Sequence, residues 1–288
     1  MNQKVLSASR RTDIPAFYLD WFFQCLERRE FQIHNPYNNR RRCVRFKAGE
    51  IHSIVFWSKN FAPLLSGRKR LEEYNLFFNF TVNAENKLLE PGVPPLQEKL
   101  EQAAELARTY SPESIHWRFD PIVFWEAGGK RHNNLSAFPL LAEEMARLGI
   151  KRCYISFMDR YAKIDRREKK RSGFRFIYPS IDEMVDITWK LLENASRFDL
   201  DLYTCCEKIL FDRIHDPRLH QGHCIDVPLL KKIFGGTLKV EPDCGQRRSA
   251  GCGCYRAIDI GSYQDHPCLH SCLYCYANPG TAFPKQSP

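Results

Sequence analysis

The chain has 288 residues, 43% hydrophobic and 27% charged, enough for one large α/β domain or two smaller ones and unlike a disordered or fibrous composition. It holds no run of eighteen apolar residues, and Met1-Asn2-Gln3-Lys4-Val5-Leu6 lacks the apolar core of a signal peptide, so a cytoplasmic protein with no membrane partner is expected. The net charge of +9 admits anionic partners, but the basic runs at 40–42 and 166–171 lack apolar periodicity and read as solvated loops, so nucleic-acid binding is not the favoured reading.

Strand and helix signals alternate along the chain. β-rich apolar runs occur at 5–9, 53–57, 76–82, 115–119, 153–157 and 200–205, with weaker ones at 237–241 and 257–263. Residues 15–29 read as a helix with Pro15 in its first turn. Leu96, Leu100, Ala103, Ala104 and Ala107 give 95–110 helical spacing, and 135–148 is a third helix. Ser180, three residues ahead of Glu183, forms a capping box that opens a fourth, with Met184, Ile187 and Leu191 on its apolar face. Repeated β-then-α units imply parallel strands joined by right-handed crossovers. The expected fold class is α/β, a full or partial (β/α) barrel, with a doubly wound sheet as the alternative. One domain over 1–288 is the simplest organisation, with a cysteine-rich segment, 244–288, folded onto it.

Polar side chains crowd the ends of these strands. The first runs into Ser9-Arg10-Arg11-Thr12-Asp13 and the second into Trp57-Ser58-Lys59-Asn60; Asn79 and Thr81 end the third, Arg118 and Asp120 the fourth. Ser156, Asp159, Tyr161 and Lys163 follow the fifth, and Cys205-Cys206-Glu207 the sixth. In barrels the C-terminal strand ends build the active site, so a lined cavity is expected there. Arg10 or Arg11 can clamp a carboxylate bidentately, or simply pair with an acid to fix the turn. Arg118 and Asp120 can form a buried pair, and His116 reads as a strand residue with a satisfied imidazole.

Twelve cysteines in a reducing compartment point to metal or redox chemistry rather than disulfides. Cys25 and Cys153 fall on apolar patterns and read as core thiols. The run Cys268-Leu269-His270-Ser271-Cys272-Leu273-Tyr274-Cys275 has the spacing C-x3-C-x2-C. Three thiolates can hold three irons of a cubane and leave the fourth open to a small molecule, where a ferredoxin closes it with a fourth cysteine. Zinc sites present four ligands, commonly in paired knuckles. Only Cys272 and Cys275 have knuckle spacing, although His266 and His270 keep zinc as an alternative. A second group, Cys205, Cys224, Cys252 and Cys254, is a candidate ligand set for an auxiliary iron–sulfur cluster. Cys206 or Cys244 can substitute in it, and structural zinc or free thiols are the plainer alternatives.

The C-x3-C-x2-C run, with Tyr274 ahead of its last cysteine, is similar to the signature of the radical S-adenosylmethionine superfamily. The resemblance implies a four-iron, four-sulfur (4Fe-4S) cluster on Cys268, Cys272 and Cys275, with S-adenosylmethionine chelated at the unique iron and Tyr274 near its adenine. It implies reductive cleavage to methionine and a 5′-deoxyadenosyl radical, hydrogen abstraction from a small or macromolecular substrate, and an electron donor such as flavodoxin or ferredoxin. The superfamily's barrel agrees with the strand–helix pattern, but its motif usually follows the first strand. Here it follows the last, which implies a circular permutation and sets Arg10, Arg11 and Asp13 beside the cofactor. The whole chain resembles an uncharacterised bacterial family, domain of unknown function family 1848, through 7–15, 54–60, 79–81, 90–94, 116–122, 155–163 and 247–278; the family resemblance also includes the second cysteine group. An iron–sulfur electron-transfer protein and a zinc-bearing nucleic-acid module are the competing readings.

Overall fold

The computed structural model describes residues 3–34 and 40–278. Its main sheet has eight strands: β1 (Lys4–Ala8), β2 (Ile51–Ser58), β3 (Asn75–Thr81), β4 (Ile115–Ile122), β5 (Arg152–Phe157), β6 (Asp201–Thr204), β7 (Leu219–Gln221) and β8 (Ile258–Asp259). All pairings are parallel, and the spatial order is β7-β6-β5-β4-β3-β2-β1-β8. Chain neighbours are therefore sheet neighbours, with one exception. The last strand, β8, lies beside the first through Leu6↔Ile258 and Ser7↔Asp259. A doubly wound sheet reverses its strand order partway, and this one does not. Among the described residues no pairing joins β7 to β8.

Alternation along each strand sorts side chains onto two faces. One face carries Leu6, Ala8, Ile54, Phe56, Phe78, Phe80, Trp117, Phe119, Ile155 and Leu202 into the main apolar core. The helices cover it, among them Leu19–Arg28, Leu96–Tyr110, Phe138–Arg147 and Ile181–Ser196. The other face carries Val5, Val55, Phe77 and Tyr154 into a second cluster with Cys224, Ile225, Cys252 and Cys254. Tyr154 stacks on Tyr203 at 4.9 Å and on His116 at 4.3 Å, so this face is aromatic at depth and polar towards the strand ends. Cys25 and Cys153 are buried core thiols, as their patterns predict.

Several elements differ from the sequence reading. The helix expected over 15–29 divides at Tyr18 into Ile14–Phe17 and Leu19–Arg28; the break lets the Tyr18 hydroxyl donate to Pro267 O at 2.6 Å. The basic runs are only partly loops: Arg40 and 169–171 lie outside helix and strand, but the rest does not. Arg41–Arg45 is a strand paired antiparallel with Glu30–His34, and Arg166 and Arg167 lie on the helix Ala162–Glu168. Residues 237–241 form no strand; the bridge Pro242↔Tyr255 is what ties that stretch down. A three-stranded antiparallel sheet, Phe174–Ile177, Phe124–Ala127 and Lys130–Asn133, adds to the β/α frame. The capping box at Ser180 and Glu183 forms as expected.

Candidate functional site

The polar strand ends do converge. A cavity of about 1100 Å³ is lined by residues from Ser9–Asp13, Trp57–Lys59, Thr81, Arg118–Pro121, Ser156–Asp159 and Cys205–Glu207. Eight thiols line it as well: Cys205, Cys206, Cys224, Cys252, Cys254, Cys268, Cys272 and Cys275. All twelve cysteines are free, and among the described residues no three Cys, His, Asp or Glu side chains are set to hold a metal ion.

The C-terminal motif reaches the cavity through a tight turn after β8. Gly261, at φ +89°, lies so close to β1 that a Cβ there would stand 3.1 Å from Ser9 Oγ. The motif is then fastened from three sides. Leu273 N donates to Leu89 O at 2.8 Å, and Gly92 N to His270 O at 3.1 Å. Arg167 donates to the carbonyls of Leu273 (3.0 Å), Cys275 (2.6 Å) and Asn278 (3.1 Å). Asn278 Nδ2 donates to Cys272 O at 2.8 Å. Cys272, Leu273 and Tyr274 pack into an apolar cluster with Trp125 and Phe176 of the three-stranded sheet.

Tyr274 is buried, and its hydroxyl donates to Glu90 while Lys59 Nζ donates to both, at 3.0 Å and 2.8 Å. Burial would raise the Glu90 carboxyl, but Lys59 and Lys99 outweigh it and hold it at about 2. Burial pushes the Cys268, Cys272 and Cys275 thiols up, with Lys59 opposing in each case. These thiols fit a bound cation: iron would supply the positive charge that burial denies their thiolates. Ala277 N already donates to Cys275 Sγ at 3.3 Å.

Of the two histidines offered to zinc, one is committed elsewhere. His270 sets both ring nitrogens against acceptors, Gly92 O at 3.0 Å and Asp13 Oδ2 at 2.8 Å. His266 lies tilted against Trp21, ring centroids 4.0 Å apart, with its Nδ1 buried without a partner.

Arg10, Arg11 and Asp13 also line the cavity, and each is seated by the frame. Asp13 accepts from Ala16 N at 3.0 Å, Ser58 Oγ at 2.7 Å and Lys59 N at 2.9 Å, so it caps a helix and ties β1 to β2. Arg11 donates to His34 O at 2.8 Å and pairs with Asp259 at 3.4 Å. Arg10 pairs with Asp243 at 3.4 Å, yet its Nη2 is buried without a partner, as is Thr12 Oγ1. That unused donor capacity fits a carboxylate in the cavity.

The second cysteine group gathers at the end of β6. Cys205 and Cys224 stand with sulfurs 3.6 Å apart. Cys206 hydrogen-bonds Cys205 and Cys252, and Cys254 hydrogen-bonds Cys252 and Cys224. The four thiols singled out in the sequence are therefore together, with Cys206 as a fifth. Cys244 is exposed, its thiol directed to Pro242 O. Arg118 Nη1 lies 2.9 Å from Cys224 Sγ, and its other arm pairs with Asp120.

Glu207 is a feature that sequence reading marked only as polar. Burial pushes its carboxyl up to about 8, with Asp159, Cys205 and Asp120 adding to the effect. Phe157 N donates to its Oε1 at 2.8 Å, which leaves Oε2 to carry the proton at neutral pH. Tyr161 donates to Asp159 Oδ2 at 3.3 Å, and Lys163 donates to Tyr276 O. The expectation of a satisfied His116 fails. Both its ring nitrogens are buried without partners between Phe77 and Tyr154, and burial holds the imidazole neutral.

No curated protein and no solved structure matches the chain. Among the described residues no helix is long and apolar enough to cross a membrane. One family model does match, over residues 5–277, nearly the whole sequence. The chain belongs to the family described as domain of unknown function DUF1848.

Proposed function

We propose that this protein is a radical S-adenosylmethionine enzyme built on a circularly permuted partial (β/α) barrel. The observation that carries the reading is the spatial position of β8. Counted across the sheet, the strand before the C-x3-C-x2-C motif comes first and β1 second, the order an unpermuted barrel would have along its chain. Cys268, Cys272 and Cys275 would hold a 4Fe-4S cluster at the cavity. When bound, such a cluster chelates S-adenosylmethionine and supplies the electron that cleaves it to methionine and a 5′-deoxyadenosyl radical.

The chain's own residues supply binding and enclosure. Arg10 Nη2 and Thr12 Oγ1 would take the methionine carboxylate or an anionic group of the substrate. Tyr274, with its hydroxyl on Glu90 and Lys59, offers a fixed ring at the cavity wall. Glu207 would hold a proton at Oε2. A reducing, cytoplasmic setting suits twelve free thiols, and a flavodoxin- or ferredoxin-like donor would bring the electron. The electron-carrier alternative gives no role to a cavity of about 1100 Å³.

The test is anaerobic reconstitution with iron and sulfide, reduction with dithionite, and assay for 5′-deoxyadenosine. Wild type should form it from S-adenosylmethionine even without substrate, and Cys272→Ala should not. No 5′-deoxyadenosine from a fully iron-loaded wild type would sink the reading and favour the electron carrier.

A further inference from the structure

The radical reading uses three of the eight thiols that line the cavity. The other five form a closed circuit, each in contact with two others: Cys205 with Cys224, Cys224 with Cys254, Cys254 with Cys252, Cys252 with Cys206, and Cys206 back to Cys205. They come from three separate stretches of chain. Cys205 N continues the sheet ladder to Ile155 O at 2.9 Å, and Cys206 follows it in left-handed backbone at φ +62°. Gly222, before Cys224, packs so tightly on β6 that a Cβ would lie 2.2 Å from Thr204 O. Gly251, at φ +91° beside Cys252, packs so close to Lys208 that a Cβ would lie 2.9 Å from its N, and at Gly253, between Cys252 and Cys254, a Cβ would lie 2.7 Å from His223 Nε2. The backbone is shaped at all three places to deliver sulfur to one spot.

We propose that Cys205, Cys206, Cys224, Cys252 and Cys254 form a second metal site that holds an iron–sulfur cluster on four of its five thiolates.

Three observations favour a cluster over the alternatives. The thiols are free, so the site is not a disulfide. Among the described residues no three of them are set as ligands of one ion, whereas a zinc tetrathiolate converges four sulfurs on one centre. Ligands of a cluster bind different irons, and filling the ring exchanges thiol–thiol contacts for sulfur–iron bonds. Guanidinium groups also surround it: Arg118 at Cys224 and Cys205, Arg10 near Cys254, and Arg247 near Cys206. They offset the net negative charge of a tetrathiolate cluster in a buried place. Loading from two ferrous ions, two ferric ions and four sulfides releases four thiol protons to solvent as four bonds form between cysteine sulfur and iron, and the thiols are not oxidised.

This inference stands apart from the radical reading, and its test separates the two. The variant Cys268→Ala/Cys272→Ala/Cys275→Ala removes the first site. After anaerobic reconstitution it should keep about half of the wild-type iron and sulfide, roughly four of each per chain, and the charge-transfer absorption of a cluster. Adding Cys224→Ala/Cys252→Ala/Cys254→Ala leaves two ring thiols, too few for a cubane, and should remove the rest. An iron-free triple variant, or one carrying zinc without sulfide, overturns the proposal whatever the wild type does with S-adenosylmethionine. Should either variant fail to fold, Mössbauer spectra of the loaded wild type decide, since a single cluster there is equally fatal.

Discussion

The two thiol groups open on one cavity but are held in opposite ways. Cys268, Cys272 and Cys275 are positioned by their surroundings: Arg167 on the backbone carbonyls, the Lys59–Glu90–Tyr274 network beneath, and the three-stranded sheet behind. No hydrogen bond joins their sulfurs among the described residues. Cys205, Cys206, Cys224, Cys252 and Cys254 are positioned by close backbone approach and by one another. A pre-set frame with separated thiols leaves room for a ligand that must be approached from one side. A ring of touching thiols suits a ligand enclosed by protein.

The largest effect expected from breaking this contrast is at Glu90. Glu90→Gln leaves Lys59 buried without its counter-charge, so it should cost about 3–5 kcal/mol in urea unfolding. It should loosen the first thiol group and leave the iron content of the ring unchanged. The same carboxyl sets an acid limit. Its stabilising charge is complete above its ordinary value of 4.5 and is lost as pH falls from there towards about 2. That window accounts for about 3 kcal/mol, which the Glu90→Gln variant should no longer lose.

Gly251→Ala attacks the other side of the comparison. A methyl at φ +91° would also stand 2.9 Å from Lys208 N, so a cost of about 1–3 kcal/mol is expected. Iron at the five-thiol ring should fall, whereas reductive S-adenosylmethionine cleavage should persist. Tyr274→Phe is milder, about 1–2 kcal/mol, because it removes one hydroxyl from the Glu90 network and keeps the ring. Chemical denaturation of that variant should show its loss smaller than that of Glu90→Gln. Arg45→Ala should have the smallest effect, since its pair with Glu30 lies at the surface; a thermal melt indistinguishable from wild type is the expected result.

The sheet was legible because each of its first six strands is an apolar run followed by a polar end, and the same period that marks the strand also marks its two faces. The short strands were not. Leu219–Gln221 has three residues, and Arg41–Arg45 carries mostly exposed arginines, so neither offers an apolar pattern to read. The tyrosine that divides the first helix is itself a normal helix residue, and only its bond to Pro267 explains the break. At the site, residue type and strand-end position sufficed to nominate Arg10, Arg11, Asp13 and the cysteines. They could not tell which partners each would take. Asp13 joins His270 across the chain, and Glu207 acquires its raised proton affinity from burial that no local pattern records.

The pairing of β8 with β1 has a kinetic side. Ser7 and Asp259, joined by a 2.5 Å hydrogen bond, are 252 positions apart, whereas the other neighbours in the sheet are successive strands. A growing chain can assemble β1 to β7 in order, but the edge of β1 waits for the residues that come last. Closing so long a loop is the slow event, and only two register pairs reward it directly. The three thiols that follow β8 are thus brought to the cavity by the final step of folding. Held by two register pairs, the same seam is where local opening would cost least while the other seven strands stay paired.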